Sequence, residues 1–103
     1  MITTIVRFKL PPGESHDVAL GEISHTIPLY QKAGPALIRK QICLDATKGE
    51  GRSIYLWSDR ASAEAFFEMA TANIKARTGQ VPDIEYLETH VIVDNLTGEV
   101  IYA

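Results

Sequence analysis

Three features of the sequence predict an α+β domain on the ferredoxin-like βαββαβ plan, with one antiparallel sheet and both helices on one of its faces. The first is the stretch 51–77, where a strand-like run, Ser53-Ile54-Tyr55-Leu56-Trp57, passes through a very short turn into a helical pattern. The second is a polar, glycine-bearing loop at 45–51, which joins that run to an earlier apolar run at 36–44 and so makes the two antiparallel neighbours. The third is the order of element types along the chain: strand, helix, strand, strand, helix, strand, then a short terminal strand. At 103 residues the chain is long enough to bury a core of its own, and a single domain spanning residues 1–103 is expected.

Taken in order, residues 2–9 (ITTIVRFK) read as the first strand, ended by Pro11-Pro12-Gly13. Residues 15–33 carry Leu20, Ile23, Ile27 and Tyr30 at helical spacing behind a capping Ser15. Pro28 lacks an N–H and clashes with the preceding turn, so a kink or break is expected near Thr26. Gly34-Pro35 closes the helical region, and residues 36–44 (ALIRKQICL) form the second strand. After the third strand, Asp59 is a good N-cap. Ala63, Phe66, Phe67, Ala70 and Ile74 then recur at three and four residues and share one helical face. Gly79 and Pro82 stop this helix. Residues 84–94 (IEYLETHVIVD) read as one long fourth strand, with Tyr86, Glu88, His90 and Ile92 on one face. A turn at 95–98 leads to a short strand at 99–103.

Side chains alternate along a strand, so Ile54 and Leu56 face one way and Tyr55 and Trp57 the other. The aliphatic pair is the natural floor for the Phe66 and Phe67 helix. Tyr55 and Trp57, which carry polar tips, are then expected on the opposite face, which needs a second cover. Pairing two such sheets face to face supplies one, and a homodimer closing a barrel between subunits is predicted.

Composition narrows the function classes. A hydrophobic fraction of 46% and a charged fraction of 22% are ordinary for a globular protein. The net charge is -3, with the signs mixed along the chain, so no basic patch points to nucleic acid or to a membrane surface. Cys43 has no partner for an internal disulfide, no apolar run is long enough to span a bilayer, and no signal-peptide pattern opens the chain. A cytoplasmic protein is the default expectation.

The pattern Leu37-Ile38-Arg39-Lys40, a polar loop, Gly51-x-x-Ile54-Tyr55-Leu56-Trp57-x-Asp59-Arg60-x-Ser62-Ala63-x-Ala65, and later Val91-Ile92-Val93-Asp94-Asn95 resembles the YdhR-like mono-oxygenases. These belong to the dimeric α+β barrel superfamily, together with the antibiotic-biosynthesis mono-oxygenases. The resemblance covers most of the chain from Pro28 onward. It implies oxidation of a small phenolic, quinol-like or polyketide-like substrate with O2, without flavin, haem or metal. No cofactor and no metal are therefore expected, in agreement with the lack of a GxGxxG motif, of a phosphate loop and of metal-ligand spacing among His16, His25 and His90. Haem-degrading members of the superfamily use a first-strand Asn and a second-helix His beside a strand Trp. Only Trp57 is present here, which speaks against that chemistry.

Cofactor-free oxygenation asks for an apolar pocket, a base, and a cation to steady an oxyanion. Tyr55 and Trp57 suit an aromatic substrate wall or the dimer interface. Lys40, read as lying between Ile38 and Ile42 on one strand face, is a catalytic candidate. It can hold an oxyanion, or its stem covers apolar surface while its head pairs with an acid such as Glu88. Arg39 faces the other way from Lys40, and one of the two must point toward the helices or their edge. His90 is the first choice for a general base because its unperturbed pKa lies near neutrality. Tyr86, on the same face, His25, near the expected helix break, and Arg39 complete the substrate-binding candidates. Tyr30 is read as core and Cys43 as structural. A non-catalytic dimeric small-ligand-binding or stress-related module of the same fold and a purely structural dimer with a filled interior stand as alternatives. A cavity of ligand size separates the last from the others.

Overall fold

The computed structural model describes residues 1–45 and 47–103, with residues 77 and 78 described by their backbone alone. The elements are β1 (Ile2–Lys9), α1 (His16–Ser24), α2 (Ile27–Lys32), β2 (Leu37–Asp45), β3 (Glu50–Trp57), α3 (Arg60–Thr78), β4 (Asp83–Glu88), β5 (Val91–Asp94) and β6 (Glu99–Tyr102). A four-stranded sheet has the order β2-β3-β1-β4 and every pair in it is antiparallel, as the ferredoxin-like plan requires. β5 and β6 form a separate hairpin. Ala46, in the predicted 45–51 loop, lies outside the described residues; β2 extends to Asp45 and β3 starts at Glu50, so this loop is shorter than the sequence suggests.

The helix caps follow the sequence. The Asp59 carboxylate accepts from the Ser62 backbone N–H at 2.8 Å and opens α3, while Gly79 ends it in the left-handed conformation at φ 72°. Ser15 accepts from the Val18 N–H at 3.3 Å and opens α1. The expected break separates α1 from α2 at His25 and Thr26, with Pro28 in the first turn of α2, where a missing N–H costs nothing. That break resets the helical phase, so the predicted stripe of Leu20, Ile23, Ile27 and Tyr30 is not the buried one. Leu20 and Ile27 are exposed, Ala19 is buried, and Ile23, Thr26 and Tyr30 are half-buried.

The assignment of faces on β3 is the reverse of the expectation. Tyr55 and Trp57 lie under α3, at 4% and 1% exposure, and Ile54 and Leu56 point to the opposite side. The aromatic pair stacks with centroids 5.8 Å apart and meets Phe67 edge-on, at 5.1 Å from Tyr55, and Phe66, at 5.3 Å from Trp57. Large rings remove more apolar area from water than Ile and Leu do, and their polar tips do not prevent burial when each finds a partner. The Trp57 Nε1–H donates to Thr4 Oγ1 at 3.0 Å, and Thr4 is itself fully buried on β1. The register of β1 on β3 puts Ile2, Thr4 and Val6 on this face with Trp57, Tyr55 and Ser53.

Two further departures shape the surface. A register shift between Leu37 and Arg39 turns Ile38 outward, so Lys40 shares the helix-side face with Leu37 and Ile42 rather than with Ile38. The predicted long strand at 84–94 is divided. β4 pairs with β1 until Glu88 meets Ile2, where β1 begins and the ladder has no further partner. The chain leaves the sheet at Thr89, held by its N–H on the Met1 carbonyl at 3.0 Å and by a 2.6 Å hydroxyl contact to Thr3, and re-forms as β5 against β6. Gly98, at φ 77°, closes the hairpin turn. The hairpin is tied to the sheet by Arg39 with Asp94 at 3.3 Å, and Ile92 is buried beside Leu56.

Candidate functional site

A cavity of about 530 Å³ lies on the helix side of the sheet, floored by β1, β2 and β3 and walled by α1, α2 and the end of α3 with the segment leading to β4. The alternation of the strands decides which residues reach it. Val6 and Phe8 come from β1, Lys40 and Ile42 from β2, Ser53 and Tyr55 from β3. Ile23, Thr26 and Tyr30 descend from the broken first helical region, and Ile74, Val81 and Pro82 close the far side. Gly51 is part of this construction. A Cβ there would overlap the Phe8 ring, so the bare backbone at 51 is what lets Phe8 lie flat on the cavity floor.

Lys40 is the one lysine ammonium placed inside this apolar setting; Lys9 also lines the cavity but is exposed. Its Nζ sits 3.1 Å from the centroid of the Tyr30 ring and 4.5 Å from that of Tyr55, its cross-strand partner. No carboxylate pairs with it among the described residues. Burial disfavours the charged form and pushes Lys40 from 10.5 down to about 7. The two ring faces attract a cation, at roughly 0.5–2 kcal/mol for a partly desolvated contact, and so hold back part of that fall. Lys40 is therefore poised between amine and ammonium near neutral pH, able to take a proton or to pair with an anion.

Around it stand hydroxyl groups. Burial pushes the Tyr55 phenol far up from its ordinary value of 10.0, and the neighbouring Tyr30 adds to the rise, while a hydrogen bond with Ser53 works the other way. Tyr55 is thus a neutral donor at every physiological pH. The set of a largely apolar cavity, the Lys40 amine and the neutral Tyr55 phenol is suited to an aromatic ligand bearing an ionisable hydroxyl.

The other sequence candidates are dispersed. Trp57 belongs to the core behind Tyr55 and does not line the cavity. Tyr86 faces the helix side but lies beneath α3, with the Arg60 guanidinium 4.6 Å from its ring. Burial first, and Glu64 second, push its phenol up. Arg39 points to the opposite face and pairs with Asp94. His90 does not share a face with Tyr86 and Ile92. It sits in the connection between β4 and β5, exposed, with Nε2 3.6 Å from Glu88, and is absent from the cavity lining. His25 caps the end of α1 in solvent, next to Thr26, which does line the cavity. Cys43 is exposed on β2.

Tyr30, Ser53 and Phe8 are site residues that the sequence reading did not single out for this purpose. For Ser53 a signal existed, since it stands two residues before Tyr55 on one strand and must share its face. Tyr30 carries no such mark, because a residue that completes a core stripe and one that presents its ring to a lysine have the same spacing.

No family model matches the chain, and no curated protein matches it significantly. Solved structures do. A protein of unknown function from Nitrosomonas europaea superimposes with a TM-score of 0.65 at 19% identity, over 85% of this chain and 87% of its own. An antibiotic biosynthesis monooxygenase superimposes with a TM-score of 0.51 at 19% identity, over 86% of this chain and 98% of its own. At this identity the likeness is one of fold. The chain has the ferredoxin-like α+β fold that the monooxygenase also has.

Proposed function

Given a fold shared with an antibiotic biosynthesis monooxygenase, we propose that this protein binds a small aromatic or polyketide-like molecule with an ionisable hydroxyl in the helix-side cavity and oxygenates it with O2. The observation that carries the reading is Lys40, held on the ring faces of Tyr30 and Tyr55 in an apolar cavity of ligand size. Its amine takes the proton of the bound hydroxyl, and the resulting ammonium pairs with the oxyanion. An anthrone illustrates the balance. Its enolate forms a carbon–oxygen bond to O2, the peroxide takes the proton back from Lys40, and loss of water leaves a ketone. One oxygen atom of O2 ends in the product and the other in water, with all four electrons supplied by the substrate. Tyr55, as a neutral phenol, orients the oxyanion by hydrogen bonding. Lys40 fills the base role in this scheme, with His90 outside the cavity.

The test is oxygen uptake with a panel of anthrones, quinols and catechols, run beside Lys40→Met. Uptake above autoxidation that the substitution abolishes, with the fold intact by circular dichroism, supports the reading. Saturable binding without uptake moves the assignment to a ligand-binding module of the same fold. A purely structural role with a filled interior is disfavoured by the cavity.

A homodimer is proposed as well. The sheet face away from the helices carries Ile5, Ile54, Leu56 and Leu87, and among the described residues only the β5–β6 hairpin overlies part of it. Leu87, Val91 and Val93 remain exposed there at 47%, 51% and 65%. A second copy of the chain fits that face because the same strands would meet themselves about a two-fold axis. Light scattering should give a dimer mass for the wild type and a monomer mass for Leu87→Asp; a monomeric wild type would sink the proposal.

A further inference from the structure

We propose that Lys40 is also a covalent acceptor, condensing through Nζ with aromatic aldehydes that enter the helix-side cavity to form an imine. The inference goes beyond oxygenation, because it needs the same amine but neither O2 nor an ionisable substrate.

Geometry carries it first. Lys40 is rooted in the middle of β2 opposite Tyr55, and its amine lies against two ring faces inside the cavity. No carboxylate pairs with it among the described residues, so no ion pair holds its proton in place. Val6, Phe8, Ile23, Ile42 and Ile74 supply the apolar walls that a flat aldehyde ring would occupy while its carbonyl meets Nζ. Burial of the amine then adds a chemical reason, since only the neutral form is nucleophilic and its population near neutral pH is raised.

The step balances without any redox partner. The Nζ lone pair adds to the carbonyl carbon, the C–N bond forms and the carbonyl π bond opens to give a carbinolamine after one proton moves from nitrogen to oxygen. The hydroxyl then leaves as water with a proton from the site, the remaining N–H proton returns to the site, and a C=N bond results. Tyr55, whose phenol stays protonated and interacts with Tyr30 and Ser53, is the donor placed beside Lys40 for that departure.

The experiment incubates the full chain with 4-methoxybenzaldehyde, which has no ionisable hydroxyl, in the presence of sodium cyanoborohydride, and maps the reduced adducts by peptide mass spectrometry. Lys40 should be labelled roughly tenfold or more above Lys9, Lys32, Lys48 and Lys75, since each unit by which an amine's pKa falls toward neutrality enlarges its neutral fraction about tenfold. The preference should vanish in guanidinium chloride, and Lys40→Arg should lose the dominant adduct while leaving the minor ones. Labelling spread evenly over the lysines of the folded chain would overturn the proposal. So would a Lys40 preference that survives unfolding. Neither result bears on oxygen uptake, so failure here is distinguishable from failure of the oxygenase reading.

Discussion

Replacing Thr4 by valine exchanges a hydroxyl for a methyl of nearly the same shape, so it tests one hydrogen bond in the core with little change of volume. Thr4 is 0% exposed and Trp57 1%, and the Trp57 Nε1–H donates to Thr4 Oγ1 at 3.0 Å. In the valine variant that N–H has no acceptor and no water to replace it. A buried donor left unsatisfied costs about 1–3 kcal/mol, which for a domain of this size corresponds to a fall in melting temperature of about 4–8 °C for each kcal/mol. Thr4→Ser separates the oxygen from the methyl. It keeps the acceptor and loses one methyl, roughly 0.8 kcal/mol in transfer free energy with a small cavity term added. Trp57 is the only tryptophan in the chain, so its fluorescence in a urea titration reads both variants directly. The expected order of stability is wild type, then Thr4→Ser, then Thr4→Val. A valine variant as stable as the wild type would refute the idea that burial of Trp57 on the helix side depends on this acceptor.

Gly51→Ala should displace the Phe8 ring from the cavity floor, costing about 1–3 kcal/mol as overpacking does, and should weaken aromatic ligands more than it weakens the fold when both are measured by calorimetry. The pH dependence of Lys40 has a definite sign. With its folded value lowered from 10.5 to about 7, the unfolded chain holds more protons between those limits, so Lys40 makes stability rise with pH across that interval, and its destabilising effect is fully present below pH 7. Above pH 10 the raised Tyr55 phenol acts in the opposite sense, because the unfolded state ionises first. Thermal melts should therefore show Lys40→Met more stable than the wild type at pH 6, with the margin shrinking toward pH 9; a constant margin would contradict the burial argument. Asp59→Ala should lower the melting temperature more than Asp59→Asn, which can still cap α3. The advantage of the native Asp59 should be lost as the pH falls through a carboxyl value that the Ser62 backbone N–H holds below 3.8.

The order of elements, both side-chain caps and the break before Pro28 were legible because each depends on a few neighbouring residues. Asp59, Ser15 and Pro28 act within one turn of where they stand. The faces of β3 were not. Ile54 with Leu56 and Tyr55 with Trp57 are both apolar sets, and periodicity alone cannot rank them. The ranking is set by partners 53 residues away in sequence for Trp57 and by the Tyr30 and Ser53 hydroxyls for Tyr55. The division of the 84–94 run was hidden for a similar reason, since it reflects where β1 starts rather than any breaker in the run itself. Lys40 was visible as a lysine among isoleucines. The rings beneath it were not, because Tyr30 arrives from α2 and Tyr55 lies on the face opposite to the one its polar tip suggests.

The most direct test of Lys40 as the partner of an aromatic oxyanion is a titration of the protein with 4-nitrophenol, whose ionised form absorbs in the visible, at a pH where the free phenol is largely protonated. Pairing of the phenolate with the Lys40 ammonium in the cavity predicts a saturable phenolate band in the wild type that Lys40→Met lacks. A band of equal size in both proteins, or binding by calorimetry in the wild type with no band, would contradict the account.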